Sequence, residues 1–131
     1  MKAIFILYVR DQKRSCAFYH SLLGKEPILD VPGMTEFVIS DTCKLGLMPE
    51  SGIKRLLGDA MPDPAEAGGI PRAEVYLQFE DASKPLERAK SVGAKLLSEL
   101  KQRDWGDRAC YLLDPDGHVV ALADANNPET T

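Results

Sequence analysis

The sequence predicts an α+β protein made of two tandem βαβββ modules. Three observations predict it. Short apolar segments of strand length alternate with two segments of helical spacing. The order strand, helix, three strands occurs twice. The two occurrences also align: Val9-Arg10-Asp11 is answered seventy residues later by Phe79-Glu80-Asp81, and Gly24 sixty-nine residues later by Gly93. Two copies at so long a spacing describe a duplicated supersecondary unit, not a solenoid. With 131 residues the chain suits one compact domain. Its internal boundaries are a first module over 1–48, a linker over 49–72, a second module over 73–124 and a flexible tail over 125–131.

The first module opens with an apolar strand, Ala3 to Val9, ended by Arg10-Asp11. Ser15 to Leu23 has helical spacing, with Ala17, Phe18, Tyr19 and Leu22 inward, and Gly24 stands where a C-cap glycine belongs. Three strand-like pieces follow, Glu26–Val31, Thr35–Ser40 and Cys43–Met48, separated by Pro32-Gly33 and Ser40-Asp41. The linker is rich in glycine and proline and reads as irregular, with a helical turn over Ile53–Leu57.

The second module repeats the pattern. Ala73 to Phe79 alternates as a strand. Its polar set is Glu74, Tyr76 and Gln78; its apolar set is Val75, Leu77 and Phe79. Ser83 to Val92 is helical, with Leu86, Ala89 and Val92 inward, Pro85 in the first turn and Gly93 as cap. Lys95–Leu100, Ala109–Leu113 and Val119–Asp124 complete the module. The turn before the last strand, Asp114-Pro115-Asp116-Gly117, has a defined turn chemistry.

Composition narrows the function. About 44% of the residues are hydrophobic and 27% charged, an ordinary globular balance. The net charge is −4 and the basic residues are scattered, which argues against nucleic acid, a partner that needs a basic stripe. No apolar run approaches the ~20 residues of a membrane helix. The apolar N-terminus is short and lacks a small-residue cleavage pattern, so it reads as a buried strand and not a leader. Cys16, Cys43 and Cys110 form no CxxC pair; three free, buried thiols and a cytoplasmic location are the expectation.

Certain residues carry a resemblance. The opening, Val9-Arg10-Asp11 followed by Ser15-Cys16-Ala17-Phe18-Tyr19 and Leu23-Gly24, is similar to the start of glyoxalase and bleomycin-resistance proteins. The close, Trp105-Gly106-Asp107-Arg108, Tyr111 and Asp114-Pro115-Asp116-Gly117-His118, is similar to their last strands. Over residues 3–124 the chain therefore resembles the vicinal oxygen chelate superfamily, which also holds dioxygenases. That resemblance implies curved mixed sheets around a cleft, and a homodimer with clefts where modules meet.

Metal-dependent members hold a divalent ion with His and Glu on inward strand positions, and such a site needs three or four converging ligands. Carried over by local motif, those positions are Ile4, Gly46, Glu74 and Ala121. One donor of four implies a branch with no metal and no other cofactor. His20 and His118 fall elsewhere and read as surface helix and solvated turn.

The candidate ligand-binding residues are Glu74, Tyr76, Trp105, Arg108, Tyr111 and Met48. Glu74 would pair a ligand cation or serve as a base; its bland alternative is an internal ion pair with Arg72 or Arg108. Trp105, the single tryptophan, lies in a polar loop and reads equally as pocket rim or sheet-edge plug. Arg108 offers a fork for a ligand carboxylate, or a structural ion pair. Tyr111 offers a stacking face, or a core or dimer contact. Met48 ends a strand that faces the cleft in family members, and reads as adaptable wall or plain core. No catalytic residue is assigned. The expected function is metal-free binding of a small organic molecule, antibiotic sequestration being one form of it. The alternative is a metal-dependent lyase, isomerase or dioxygenase.

Overall fold

Seven uncharged residues, Ala3–Val9, form β1, and the chain pairs them in parallel with β4, Cys43–Pro49. Between them lie helix α1 (Gln12–Leu23) and strands β2 (Leu29–Val31) and β3 (Met34–Ser40), which pair antiparallel into a sheet of order β1-β4-β3-β2. The second copy follows the same path. Strand β5 (Glu74–Gln78), helix α3 (Ser83–Ser91), and strands β6 (Lys95–Gln102), β7 (Asp107–Leu113) and β8 (Val119–Ala125) form a sheet of order β5-β8-β7-β6, with β5 and β8 parallel. This is a computed structural model, and it describes residues 1–125. Of the expected tail, Ala125 ends β8 and residues 126–131 lie outside the described residues.

The duplication holds at the level of single rungs. Ile4 faces Lys44 and Ile6 faces Gly46 in the first sheet; Glu74 faces Val119 and Tyr76 faces Ala121 in the second. The chain divides into two units by its contacts: residues 1–20 with 25–68, and residues 21–24 with the chain from Gly69 onward.

Each unit has its own core. In the first, one sheet face buries Val9, Thr35, Phe37, Leu45 and Leu47, while α1 buries Phe18 and Tyr19, whose rings meet edge to face with centroids 5.0 Å apart. Gln12 ties the start of α1 to the β2–β3 hairpin. Its amide donates to the Val31 carbonyl and to Thr35 Oγ1 at 2.8 and 2.9 Å, and its oxygen accepts from the Gly33 N–H. In the second unit the core face of the sheet buries Leu77, Cys110, Leu112, Val120 and Leu122, with Ala82, Leu86 and Ala89 from the α3 region.

Several details differ from expectation. Strand β1, expected to be buried, is exposed from Ala3 to Ile6, since it pairs on one side only, with β4, and is buried only at Val9. Helix α1 begins three residues early and buries Ser15 with Phe18, Tyr19 and Leu22, so the inward stripe passes Ala17 by and leaves it exposed. Cys16 lies beside that stripe and is half-buried, as is Cys43; Cys110 is buried as expected. Val92 follows the end of α3 and is exposed. The linker is more regular than its composition suggests. It holds an eight-residue helix, α2 (Glu50–Leu57), and two 3-10 turns, Gly58–Ala60 and Pro64–Ala67. Lys54 Nζ satisfies the Gly58 and Met61 carbonyls just past the end of α2, at 2.8 and 3.2 Å. The cap glycines behave as their positions require: Gly24 and Gly93 have φ of 68° and 82°.

Beneath α3 lies an ionic clamp. Asp124 is 5% exposed and accepts from both Arg108 Nε and Nη2, at 3.2 and 2.8 Å, and from the Ala82 N–H at 2.6 Å. Arg108 Nη2 also reaches Asp81 at 3.1 Å, and that same carboxylate oxygen accepts the Ser83 N–H and hydroxyl at the start of α3. The bonds from Arg108 hold the Asp124 carboxyl below its ordinary range against the opposing effect of burial. Below pH ~4 an unfolded aspartate takes up a proton that the folded one resists, so this stabilisation is present above that pH and is lost as pH falls through the depressed folded value.

Two measurements follow. Gly117 has φ of 88°, and a Cβ there would stand 2.7 Å from the Gly69 carbonyl oxygen. Gly117→Ala is expected to destabilise the second unit by about 2–4 kcal/mol, combining left-handed strain with a backbone clash, read as a lower denaturant midpoint. Asp124→Asn is expected to cost about 2 kcal/mol at neutral pH through lost charge-assisted hydrogen bonds. It should also flatten the decline in stability between pH 5 and pH 2; an unchanged acid limb would remove Asp124 as its source.

Candidate functional site

Strand alternation builds the site in the second unit. The register places Glu74, Tyr76 and Gln78 opposite Val119, Ala121 and Ala123, and these in turn opposite Leu113, Tyr111 and Ala109. Side chains paired across a ladder share a face. One face of this sheet thus carries Glu74, Tyr76, Gln78, Tyr111 and Asp107 over small residues. The other carries the core set with Arg108 and Asp124.

Tyr76 is the hub. Its hydroxyl donates to Asp107 Oδ2 at 2.6 Å and accepts from Trp105 Nε1 at 2.9 Å. A bond that short to a carboxylate is charge-assisted. Burial, and next the bond to Asp107, raise the phenol's pKa, so Tyr76 stays a proton donor. Trp105 is 57% exposed yet anchored by its indole N–H.

The loop carrying it is held from within. Arg103 N–H donates to the Asp107 carbonyl at 2.8 Å, Gly106 N–H to the Arg103 carbonyl at 3.1 Å, and Gln102 Nε2 to the Gly106 carbonyl at 3.0 Å. Gly106, at φ 103°, makes that turn passable. An open pocket of about 680 Å³ lies beside this loop, walled by Phe79 and Trp105, with Gln78, Asp104 and Asp107 as its polar groups. That volume falls within the range of small-molecule sites.

The expected residues are distributed as follows. Tyr76 and Trp105 are bonded to each other. Tyr111 shares their face and flanks Ala121 from the side opposite Tyr76. The Arg103 guanidinium lies 5.3 Å from the Tyr111 ring centroid, and its nitrogens donate to the Ala109 carbonyl, Ser98 Oγ and the Glu99 carbonyl. Glu74 lies on the same face, exposed, and makes neither of the ion pairs weighed for it. Arg108 is on the opposite face in the ionic clamp, because it directly follows Asp107 and successive strand side chains alternate. Met48 is in the first unit, half-buried on β4. Sequence reasoning passed over Asp107 as a neighbour of Arg108. The signal was available: Asp107, Ala109 and Tyr111 alternate onto one face.

The positions expected to hold a divalent ion do not fit one. Gly46 stands to Ile6 as Ala121 stands to Tyr76, which confirms their equivalence in the repeat. A Cβ at Gly46 would meet Ile6 Cγ1 at 3.1 Å, Ile4 Cγ2 at 3.3 Å and Met34 Sδ at 3.3 Å, so aliphatic and thioether groups fill that place. Of the four positions only Glu74 offers a carboxylate. A different group could hold an ion: ligand atoms of Asp114, Asp116 and His118 lie within 4.8 Å of one another. The Asx turn brings them together, Asp114 Oδ1 accepting the Asp116 and His118 N–H groups at 2.9 Å each. His118 is therefore more than an isolated turn residue. No helix among the described residues is long and apolar enough to cross a membrane.

Comparison with known proteins agrees with this architecture. Residues 3–122 match the family model of the Glyoxalase/Bleomycin resistance protein/Dioxygenase superfamily. An uncharacterized protein of Mycobacterium tuberculosis is 26% identical over 119 residues, covering 88% of this chain and 69% of that protein. A glyoxalase-related enzyme from Fulvimarina pelagi superposes with a TM-score of 0.79 at 21% identity, covering 98% of this chain and 88% of that one. A glyoxalase/bleomycin resistance protein/dioxygenase family enzyme from Burkholderia phytofirmans superposes with a TM-score of 0.78 at 16% identity, covering 93% and 96%. At these identities the solved structures speak to the fold, while the family model, matched over almost the whole chain, speaks to descent. The chain belongs to the glyoxalase/bleomycin resistance protein/dioxygenase superfamily.

Proposed function

We propose that this chain binds a small organic molecule against Trp105, without a metal, as a sequestering protein would. Small-molecule binding is the function expected at the level of the superfamily. The metal-free form of it rests chiefly on Gly46, where Ile4, Ile6 and Met34 occupy the place of a ligand side chain. The Trp105 pocket supports the binding itself. A large aromatic ring left more than half exposed, yet fixed by a hydrogen bond to Tyr76, is preorganised to stack on a ligand and loses little entropy on doing so. Sequestration needs apolar walls and a few placed polar groups, and no catalytic group. The rival reading, a metal-dependent lyase, isomerase or dioxygenase, draws on Asp114, Asp116 and His118, which bend around one turn.

Trp105 is the sole tryptophan, so its emission reports on the pocket directly. Titration with a library of aromatic acids, amines and antibiotics is expected to give saturable emission changes that EDTA leaves unaltered. Tyr76→Phe should weaken that binding about fivefold by freeing the indole from its hydrogen bond, worth about 1 kcal/mol. Stoichiometric metal in protein purified without chelator, with binding lost on its removal, would sink the metal-free reading.

A further inference from the structure

The pocket beside Trp105 has a one-sided charge. Its ionisable groups, among the described residues, are the carboxylates of Asp104 and Asp107; its other polar group, Gln78, is neutral. Its apolar lining residues are Trp105 and Phe79, the latter alternating with the core set of β5. Three cations stand close in sequence, and none lines the pocket. Lys101 is exposed on β6 at the rung of Ala109, on the same face of the sheet. Arg103 places three hydrogen bonds on the Ala109 carbonyl, Ser98 Oγ and the Glu99 carbonyl, and lies over Tyr111. Arg108 is on the other face of the sheet, bonded to Asp81 and Asp124. Asp107 receives the Tyr76 hydroxyl on Oδ2 only, which leaves Oδ1 with acceptor capacity.

From this juxtaposition we infer that the pocket selects an organic cation: an amine or quaternary ammonium group carried on an aromatic or other apolar body. The inference rests on the reading of this pocket as the binding site and names the class of ligand it takes. The exposed face of Trp105 attracts a cation through the ring quadrupole. The half-buried Asp107 carboxylate adds Coulomb attraction stronger than in bulk water, and the exposed Asp104 adds a screened one. An anion of the same size would meet two like charges, and none of the lining residues is a cation. The net charge of −4 acts in the same direction at long range.

The test uses the full chain and four probes of one shape: benzylamine, benzyltrimethylammonium, benzyl alcohol and benzoate. Binding is read by Trp105 emission and by calorimetry at low and moderate salt. The two cations are expected to bind roughly tenfold more tightly than benzyl alcohol, with benzoate weakest, and the cationic advantage should shrink as salt rises. Asp104→Asn, at an exposed position, and Asp107→Asn, which keeps an acceptor for Tyr76, should each weaken the cations roughly threefold relative to benzyl alcohol. Circular dichroism establishes that both variants are folded. Equal affinity for all four probes, preference for benzoate, or indifference to both substitutions overturns the inference while leaving a binding pocket in place. Silence from every probe and from the wider library overturns the pocket reading as well.

Discussion

The parallel ladder between β5 and β8 is the constraint on which the second unit depends. It sets Tyr76 against Ala121 and Leu77 against Leu122, and through β8 it sets the rungs of β7. A slip of one residue would send Tyr76 into the core and Leu77 onto the open face. What resists the slip is the burial of Leu77, Val120, Leu122 and Leu112 on one side, worth on the order of 1.5–3 kcal/mol per side chain. The ionic clamp of Arg108, Asp124 and Asp81 lies on the same side, so hydrophobic and electrostatic terms favour one register. The open face inherits its geometry from them: Asp107 meets Tyr76, and Tyr76 holds Trp105, because Arg108 and Leu77 face the other way.

The two units show how one topology tolerates two surfaces. In the first, Ile4, Ile6 and Met34 gather over Gly46, on a face that also carries Tyr8 and an ion pair between Lys44 and Glu36 at 3.2 Å. In the second, the corresponding strands carry Glu74 and Tyr76 over Ala121. The core-side positions of the first strands keep similar apolar patterns, Leu7 and Val9 answering Leu77 and Phe79. The shared faces hold the fold, and the open faces have diverged in chemistry.

The element order, both cap glycines and the turn at Asp114 were legible in the sequence because each has a local cause: periodicity, positive φ or Asx chemistry. The bounds of α1 were less so. Its first turn is secured by Gln12 bonding to the Val31 carbonyl and Thr35, partners nineteen and twenty-three residues away. Helix α2 was hidden by glycine-rich surroundings, and Lys54 secures its end by reaching past the helix to the Gly58 and Met61 carbonyls. Within the site, Tyr76 and Trp105 were legible as unusual residues, but their bond was not: it joins residues far apart in the chain and depends on the loop that Arg103, Gln102 and Gly106 close. The grouping of Arg108 with Glu74 and Tyr76 missed because motif proximity was weighed ahead of alternation along β7.

The close approach of Gly69 to the Asp114–His118 turn bears on how this chain could change. With no side chain on either glycine, the segment entering β5 lies against the turn that joins β7 to β8, so the beginning of the second module is moored to its far hairpin. Linker lengthening is therefore best absorbed upstream of that mooring, around Met61 to Asp63 between the two 3-10 turns. A residue with a side chain at Gly69 or Gly117 would press on that mooring, where the Gly117 Cβ position stands 2.7 Å from the Gly69 carbonyl oxygen. Descendants of this chain could vary the tether between their modules freely while inheriting the same doorway into the second.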